Sequence, residues 1–148
     1  MYAIVQRYQK GAALKYQKNY YPDLDDGLVF RAVRFKRDEA FLVRAMMLAT
    51  KSQVRFRHGA VIVRNGKVIG VGINRTINPP TVVSNPKQES TIHAEEAALR
   101  ACRKMDLSNA IIYIARIGAF GEPMLSKPCE RCQRALRARG VKKIYYTT

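Results

Sequence analysis

The chemistry of this chain is concentrated in two short stretches, Thr91-Ile92-His93-Ala94-Glu95-Glu96 and Ser126-Lys127-Pro128-Cys129-Glu130-Arg131-Cys132. One imidazole and two thiols provide a nitrogen donor and two sulfur donors, a set that suits zinc. A structural zinc usually takes four protein ligands, whereas a catalytic zinc keeps one position for water. His93, Cys129 and Cys132 fill three positions, and Glu95 is left over as an acid that has no need to be a ligand. Zinc lowers the pKa of a coordinated water to about 7. A carboxyl group beside that water takes its proton as a general base and returns it as a general acid. Three ligands and one acid are the inventory of an open, catalytic zinc site. The same residues also admit a redox dithiol at Cys129 and Cys132, or a closed structural zinc with His58 or another group as fourth ligand.

The spacing says which elements must position these groups. Cys129 and Cys132 are three apart, so they share one face of the first turn of a helix that starts near Pro128. The positive end of that helix favours thiolates. Ser90 or Thr91 is expected to cap a second helix, with Glu95 and Glu96 in its first turn. Residues two apart do not share a helix face. His93 and Glu95 must therefore approach the metal from the end of their helix, and two helix N-termini directed at one metal are expected.

With His-Ala-Glu upstream, Pro-Cys-x-x-Cys downstream and a strand between them, the chain resembles the zinc-dependent cytidine and deoxycytidylate deaminase superfamily from about Asp38 to the C-terminus. The resemblance implies one Zn2+ per chain and hydrolytic deamination of a cytosine base, with Glu95 as proton shuttle. It also implies that Asn74 contacts substrate, that the main-chain N–H of Ala94 holds the base carbonyl, and that the main-chain carbonyl of Lys127 receives the leaving amine. Deoxycytidylate deaminases usually carry Gly-Thr-Pro after this Asn, and here Arg75-Thr76-Ile77 stands instead. Arg75 itself suits a phosphate.

The 148 residues suffice for one domain with a core that needs no disulfides. With two of the three cysteines assigned to metal, a reducing, cytoplasmic compartment is expected. Cys102, in register with Ala98, reads as a small buried apolar residue. No long apolar run near the N-terminus suggests a signal peptide or a membrane span. Lys and Arg total 27 against 11 acids, a net charge of +16, far beyond what one nucleotide phosphate requires. Such a charge attracts polyanions, and it equally fits a solubilising compositional bias.

Residues 1–36 read as a basic N-terminal extension to a deaminase domain at 37–148. Tyr2, Tyr8, Tyr16, Tyr20 and Tyr21 interleave there with Arg7, Lys10, Lys15 and Lys18, as rings and charges do along a single-stranded nucleic acid. Packing of those rings on the domain or on another subunit is the alternative, and Pro22 to Gly27 reads as a closing turn. Phe41, Leu42, Ala45, Met46 and Ala49 recur at helical spacing between Arg37 and Thr50. Asn65-Gly66 joins the strands Ala60–Val63 and Lys67–Ile73 as a hairpin, with His58 in the loop before it. Arg75 to Glu89 reads as a loop rich in Asn and Pro. The Ala-rich helix runs from the His-Ala-Glu stretch to about Lys104, and Ala110–Ala115 reads as a buried strand of a parallel sheet. Gly118–Lys127 is a loop, the Cys129 helix ends near Arg139, and Ile144-Tyr145-Tyr146 is the last strand. Arg131, Arg134, Arg137 and their neighbours make a second basic patch. The resemblance implies a further strand or helix after Tyr146, whose packing surface residues 1–36 or another subunit are expected to supply.

Together these readings give an α/β protein with a three-layer α/β/α cytidine-deaminase-like fold and a central mixed sheet of four or more strands. The expected substrate is cytidine or deoxycytidylate and the expected assembly a homo-oligomer. Two alternatives are a deaminase of single-stranded DNA or RNA, tRNA adenosine included, and an inactive zinc domain that binds nucleic acid or assists assembly.

Overall fold

The computed structural model describes residues 36–77 and 91–147. The Tyr-rich segment, apart from Lys36, and residues 78–90 lie outside the described residues. The elements follow in the order α1 (Lys36–Ala49), β1 (Arg57–Arg64), β2 (Lys67–Ile73), β3 (Arg75–Thr76), β4 (Thr91–Ile92), α2 (Ala94–Ala101), β5 (Ile111–Ile117), β6 (Pro123–Met124), α3 (Glu130–Ala138) and β7 (Lys143–Tyr146). Asn65 and Gly66 both take positive φ, 51° and 74°, as a tight two-residue hairpin requires.

Five strands form one mixed sheet. β1 runs antiparallel between β2 and β5. The far edge of β5 is shared, with Ile111–Ile114 parallel to β7 and Arg116–Ile117 antiparallel to β6. The apolar run of β5 was expected to mark a parallel sheet, but only β7 is parallel to it. The run reports burial on both faces, which strands of either direction can have.

Alternation along the strands sends successive side chains to opposite faces. Ala60, Ile62, Ile112 and Ile114 join a core with Ala94, Ala98 and Leu136 from α2 and α3. Val61, Val63, Tyr113 and Ala115 join another with Leu42 and Ala45 of α1. Helices therefore cover both faces, the three-layer arrangement expected. Phe41 and Met46 are partly buried against the α1 core, and the Tyr113 hydroxyl donates to Asp38 at the start of α1.

Close approach of the helices depends on glycine. A Cβ on Gly72 would collide with the Ala94 carbonyl oxygen and the Ala98 nitrogen, and one on Gly59 would collide with the Ala45 carbonyl oxygen. α2 ends at Ala101 rather than near Lys104, with Cys102 as its C-cap. Cys102 is fully buried, as expected, and its thiol also has a polar contact. Register slips between Ile62 and Val63, so that Ile69 has no partner on β1. A bulge leaves its extra residue out of the ladder, and the Cys102 Sγ lies 3.2 Å from the Ile69 carbonyl oxygen.

Because α2 carries His93 at its start, its seating on β2 sets the position of the site. Gly72→Ala should lower stability by about 1–3 kcal/mol, read as a lower urea midpoint at unchanged m-value. An unchanged midpoint would contradict the close seating of α2.

Candidate metal centre and cavity

His93 and Cys129 are the N-cap residues of α2 and α3, so the two helix starts converge. The expected cap at Ser90 or Thr91 is not found: Thr91 and Ile92 instead form β4, which pairs with β3 and leaves His93 as the first residue free to cap. β3 and β4 also turn the start of the expected 75–89 loop into a short ribbon. His58, expected in a loop, is the second residue of β1, because β1 begins three residues before the apolar run that marked it.

The His93 Nδ1 lies 3.6 Å from the Cys129 Sγ and 3.4 Å from the Cys132 Sγ. All three donor atoms fall within 4.8 Å of one another. Zinc–sulfur and zinc–nitrogen bonds of about 2.3 and about 2.05 Å at a tetrahedral angle place N and S about 3.6 Å apart. The imidazole nitrogen thus stands from each sulfur at about the spacing that a tetrahedral zinc requires. Among the described residues no fourth His, Cys, Asp or Glu joins this cluster. His58 stays outside it, its Nδ1 3.0 Å from the Phe56 carbonyl oxygen, and so does not close a four-ligand set. Burial pushes the Cys132 thiol well above its usual range, and the Glu95 carboxylate adds to the effect. A thiol so placed ionises readily only with a cation beside it, which a metal would supply.

Glu96 ties the two helix starts together. Its Oε2 accepts the His93 N–H at 3.2 Å and lies 3.1 Å from Arg131 Nη2 on α3. The stretch leading to Cys129 is held from the other side. The Ser126 Oγ lies 2.9 Å from the Ile114 carbonyl oxygen, and the Ser126 N–H donates to the Thr147 carbonyl at 2.8 Å. Gln133 Nε2 donates to the Pro128 carbonyl at 2.8 Å. Sequence reading missed these supports, because each depends on a long-range partner.

Beside the cluster is a cavity of about 380 Å3 lined by residues that include Val54, Arg55, Phe56, His58, Asn74, His93, Ala94, Glu95, Lys127 and Cys129. Every residue named above as catalytic or substrate-binding lines it, and of the three donor residues only Cys132 is set back from it. Glu95 is 5% exposed. Burial raises its carboxyl pKa, while its own backbone N–H and the charge of His93 pull the other way. His58 is shifted down, first by burial and then by the positive Arg116 and His93, which favours its neutral form.

Asn74 is bound up in the cavity wall. Its Oδ1 accepts the His58 N–H at 2.7 Å and lies 2.8 Å from the Ser52 Oγ, and its Nδ2 donates to the Phe56 carbonyl. Ser52 also lies 2.9 Å from the Asn74 carbonyl oxygen. This network clamps the 52–58 connection to the end of β2. A Ser ahead of a strand and an Asn after its hairpin partner were the only signals of it in the sequence.

A family model described as the cytidine and deoxycytidylate deaminase zinc-binding region matches residues 35–148, and the chain belongs to that family. It is 29% identical over 128 residues to a deoxycytidylate deaminase of Mycobacterium phage D29, covering 74% of this chain and 92% of the relative. Among solved structures it is similar to the dCMP deaminase of cyanophage S-TIM5 in complex with dCMP and dUMP, with 25% identity, coverage of 73% and 78%, and a TM-score of 0.54. A mutant cytidine deaminase from Mycobacterium tuberculosis shares the fold at 22% identity, with coverage of 74% and 84% and a TM-score of 0.50. Among the described residues no helix is long and apolar enough to cross a membrane.

Removing a partner from a buried polar network strands the groups left behind, at about 1–3 kcal/mol. Asn74→Ala should destabilise the protein by that amount in chemical denaturation, with Ser52→Ala in the same direction and smaller. Unchanged stability in Asn74→Ala would mean that the network does not hold the wall.

Proposed function

We propose that this protein is a zinc-dependent hydrolase that deaminates the cytosine base of cytidine or deoxycytidylate to uracil. The observation that carries this reading is the convergence of His93, Cys129 and Cys132 on two helix starts, with the buried Glu95 beside them in a cavity. Membership of the deaminase family and similarity to phage deoxycytidylate deaminases support the same reading. Zinc, held by the three donors, supplies a Lewis acid that makes a water acidic near neutral pH.

The rest is done by the chain. Ala94 is the first residue of α2, and we assign to its main-chain N–H, at the positive helix end, the holding of the base carbonyl. Glu95 takes a proton from water and delivers it to the ring nitrogen, and a second proton passes by way of Glu95 to the departing amine. The raised pKa of Glu95 suits a group that must hold a proton between the two transfers. The Lys127 carbonyl accepts from the amine as it leaves. Asn74 spends one Nδ2 hydrogen on Phe56 and offers the other to the substrate. Three free cysteines accord with a reducing, cytoplasmic setting, and we place the enzyme there as a homo-oligomer.

Deamination of a base within single-stranded nucleic acid is a second reading, favoured by the net charge of +16. Either enzyme makes the same demand on Glu95. The purified protein should carry one zinc per chain, and His93→Ala and Cys132→Ala should lose it. Glu95→Gln should keep the metal while turnover of deoxycytidylate falls by about 10^2-fold or more. Full activity in Glu95→Gln would refute the mechanism, and zinc retention without turnover of any cytosine substrate by the unaltered protein would favour an inactive binding domain.

A further inference from the structure

His58 lines the cavity and has no part in the chemistry above. It is held in place from two sides. Its main-chain N–H donates to the Asn74 Oδ1 at 2.7 Å, and its ring Nδ1 lies 3.0 Å from the Phe56 carbonyl oxygen. The same carbonyl oxygen accepts from Asn74 Nδ2, so the imidazole and the amide meet at one atom and stand side by side in the cavity wall. The Asn74 amide cannot turn over there. Its Oδ1 faces the His58 N–H and the Ser52 Oγ, the latter at 2.8 Å, while its Nδ2 faces a carbonyl.

This geometry decides which ring nitrogen carries the proton. A carbonyl oxygen only accepts, so the nitrogen that faces it, Nδ1, bears the hydrogen. In a neutral imidazole Nε2 is then an acceptor. Burial, and after it the positive Arg116 and His93, favour the neutral form and outweigh the bond to Phe56. Among the described residues Nε2 has no hydrogen-bond partner, and it is not one of the polar atoms sealed in the interior. The wall thus offers one acceptor, the Nε2 lone pair, beside one donor, the second Nδ2 hydrogen of Asn74. A hydroxyl answers both at once, since it accepts with its oxygen and donates its hydrogen. An ether or carbonyl oxygen would satisfy Asn74 and leave His58 unmet.

We infer that His58 is a specificity-determining residue whose Nε2 takes the hydrogen of a sugar hydroxyl on the bound nucleoside, while the oxygen of that hydroxyl accepts from Asn74. The hydroxyl is that of the 3′ or the 2′ carbon, and both present the same chemistry. A ligand that lacks it leaves a donor and an acceptor unmet in the wall, so the site discriminates by hydrogen bonding and not by size. This inference rests on the cytosine-deaminase reading for the identity of the ligand.

The test measures binding of UMP, dUMP and 2′,3′-dideoxyuridine monophosphate to the zinc-loaded protein by calorimetry, in the unaltered chain and in His58→Asn and His58→Gln. His58→Asn keeps a donor where Nδ1 stands, and with it the bond to the Phe56 carbonyl, but has no acceptor where Nε2 stands. His58→Gln carries an acceptor out to that position. The cost of unmet polar groups justifies an expectation that the unaltered protein binds dUMP about 10-fold more tightly than the dideoxy compound. His58→Asn should lose most of that preference and bind the dideoxy compound as the unaltered protein does, which a merely structural His58 would not produce. His58→Gln should keep part of the preference. If the gain comes instead between dUMP and UMP, the hydroxyl is the 2′ one. No gain from either hydroxyl in the unaltered protein, or an undiminished gain in His58→Asn, would overturn the inference. His58→Phe, which keeps a ring and removes both nitrogens, repeats the test if His58→Asn folds poorly. A hydroxyl preference that His58→Asn abolishes, without deamination of any substrate, would leave the role of His58 standing and remove the enzyme reading. Deamination of deoxycytidylate indifferent to the sugar hydroxyl and to His58→Asn would do the reverse.

Discussion

Three donor atoms on two helix starts must stand about 3.6 Å apart for one tetrahedral zinc to bind them all, and much of this fold serves that requirement. α2 is set against β2 by Gly72 and by the alanines that face it, which fixes His93. α3 is set by its core residue Leu136 and by the Ser126 and Thr147 bonds to the end of the sheet, which fix Cys129. The Glu96 carboxylate then joins the two helix starts. An exposed ion pair such as Glu96 with Arg131 adds little stability, but here it also accepts the His93 N–H and so constrains where the imidazole begins.

Burial adds an electrostatic constraint. The α2 start places the Glu95 carboxyl near the buried Cys132, whose ionisation is made harder by burial and then by the charges of Glu95 and Cys129. Among the described residues, His93 is the only basic side chain in the cluster itself. A divalent cation held by His93, Cys129 and Cys132 would offset that effect. The same geometry would be costly without one. The guanidiniums of Arg55 and Arg116 lie against the Phe56 ring.

The parts of the fold legible in the sequence were local ones. Asn65-Gly66 specified its hairpin because only a turn with two positive φ values joins those strands, and the spacing of Leu42, Ala45 and Ala49 specified the buried face of α1. The grouping of His93, Cys129 and Cys132 was legible because residue type and spacing mark it. The parts that were not legible depend on register across the sheet. His58 lies opposite Arg116, Asn74 returns to the 52–58 connection, and β3 meets β4 across fourteen intervening positions, so that His93 and not Ser90 or Thr91 caps its helix. None of these pairings leaves a mark at short range. Arg116 in particular looks like the polar end of an apolar run until β1 is laid beside it.

We propose an open zinc site with three protein donors, one nitrogen and two sulfurs. X-ray absorption at the zinc edge of the metal-loaded protein measures that shell directly. Two sulfurs at about 2.3 Å and two lighter atoms at about 2.0–2.1 Å are expected, one of the lighter atoms from His93 and the other from solvent. A shell of three or four sulfurs, or one in which two histidines and two cysteines leave no place for solvent, would contradict this proposal.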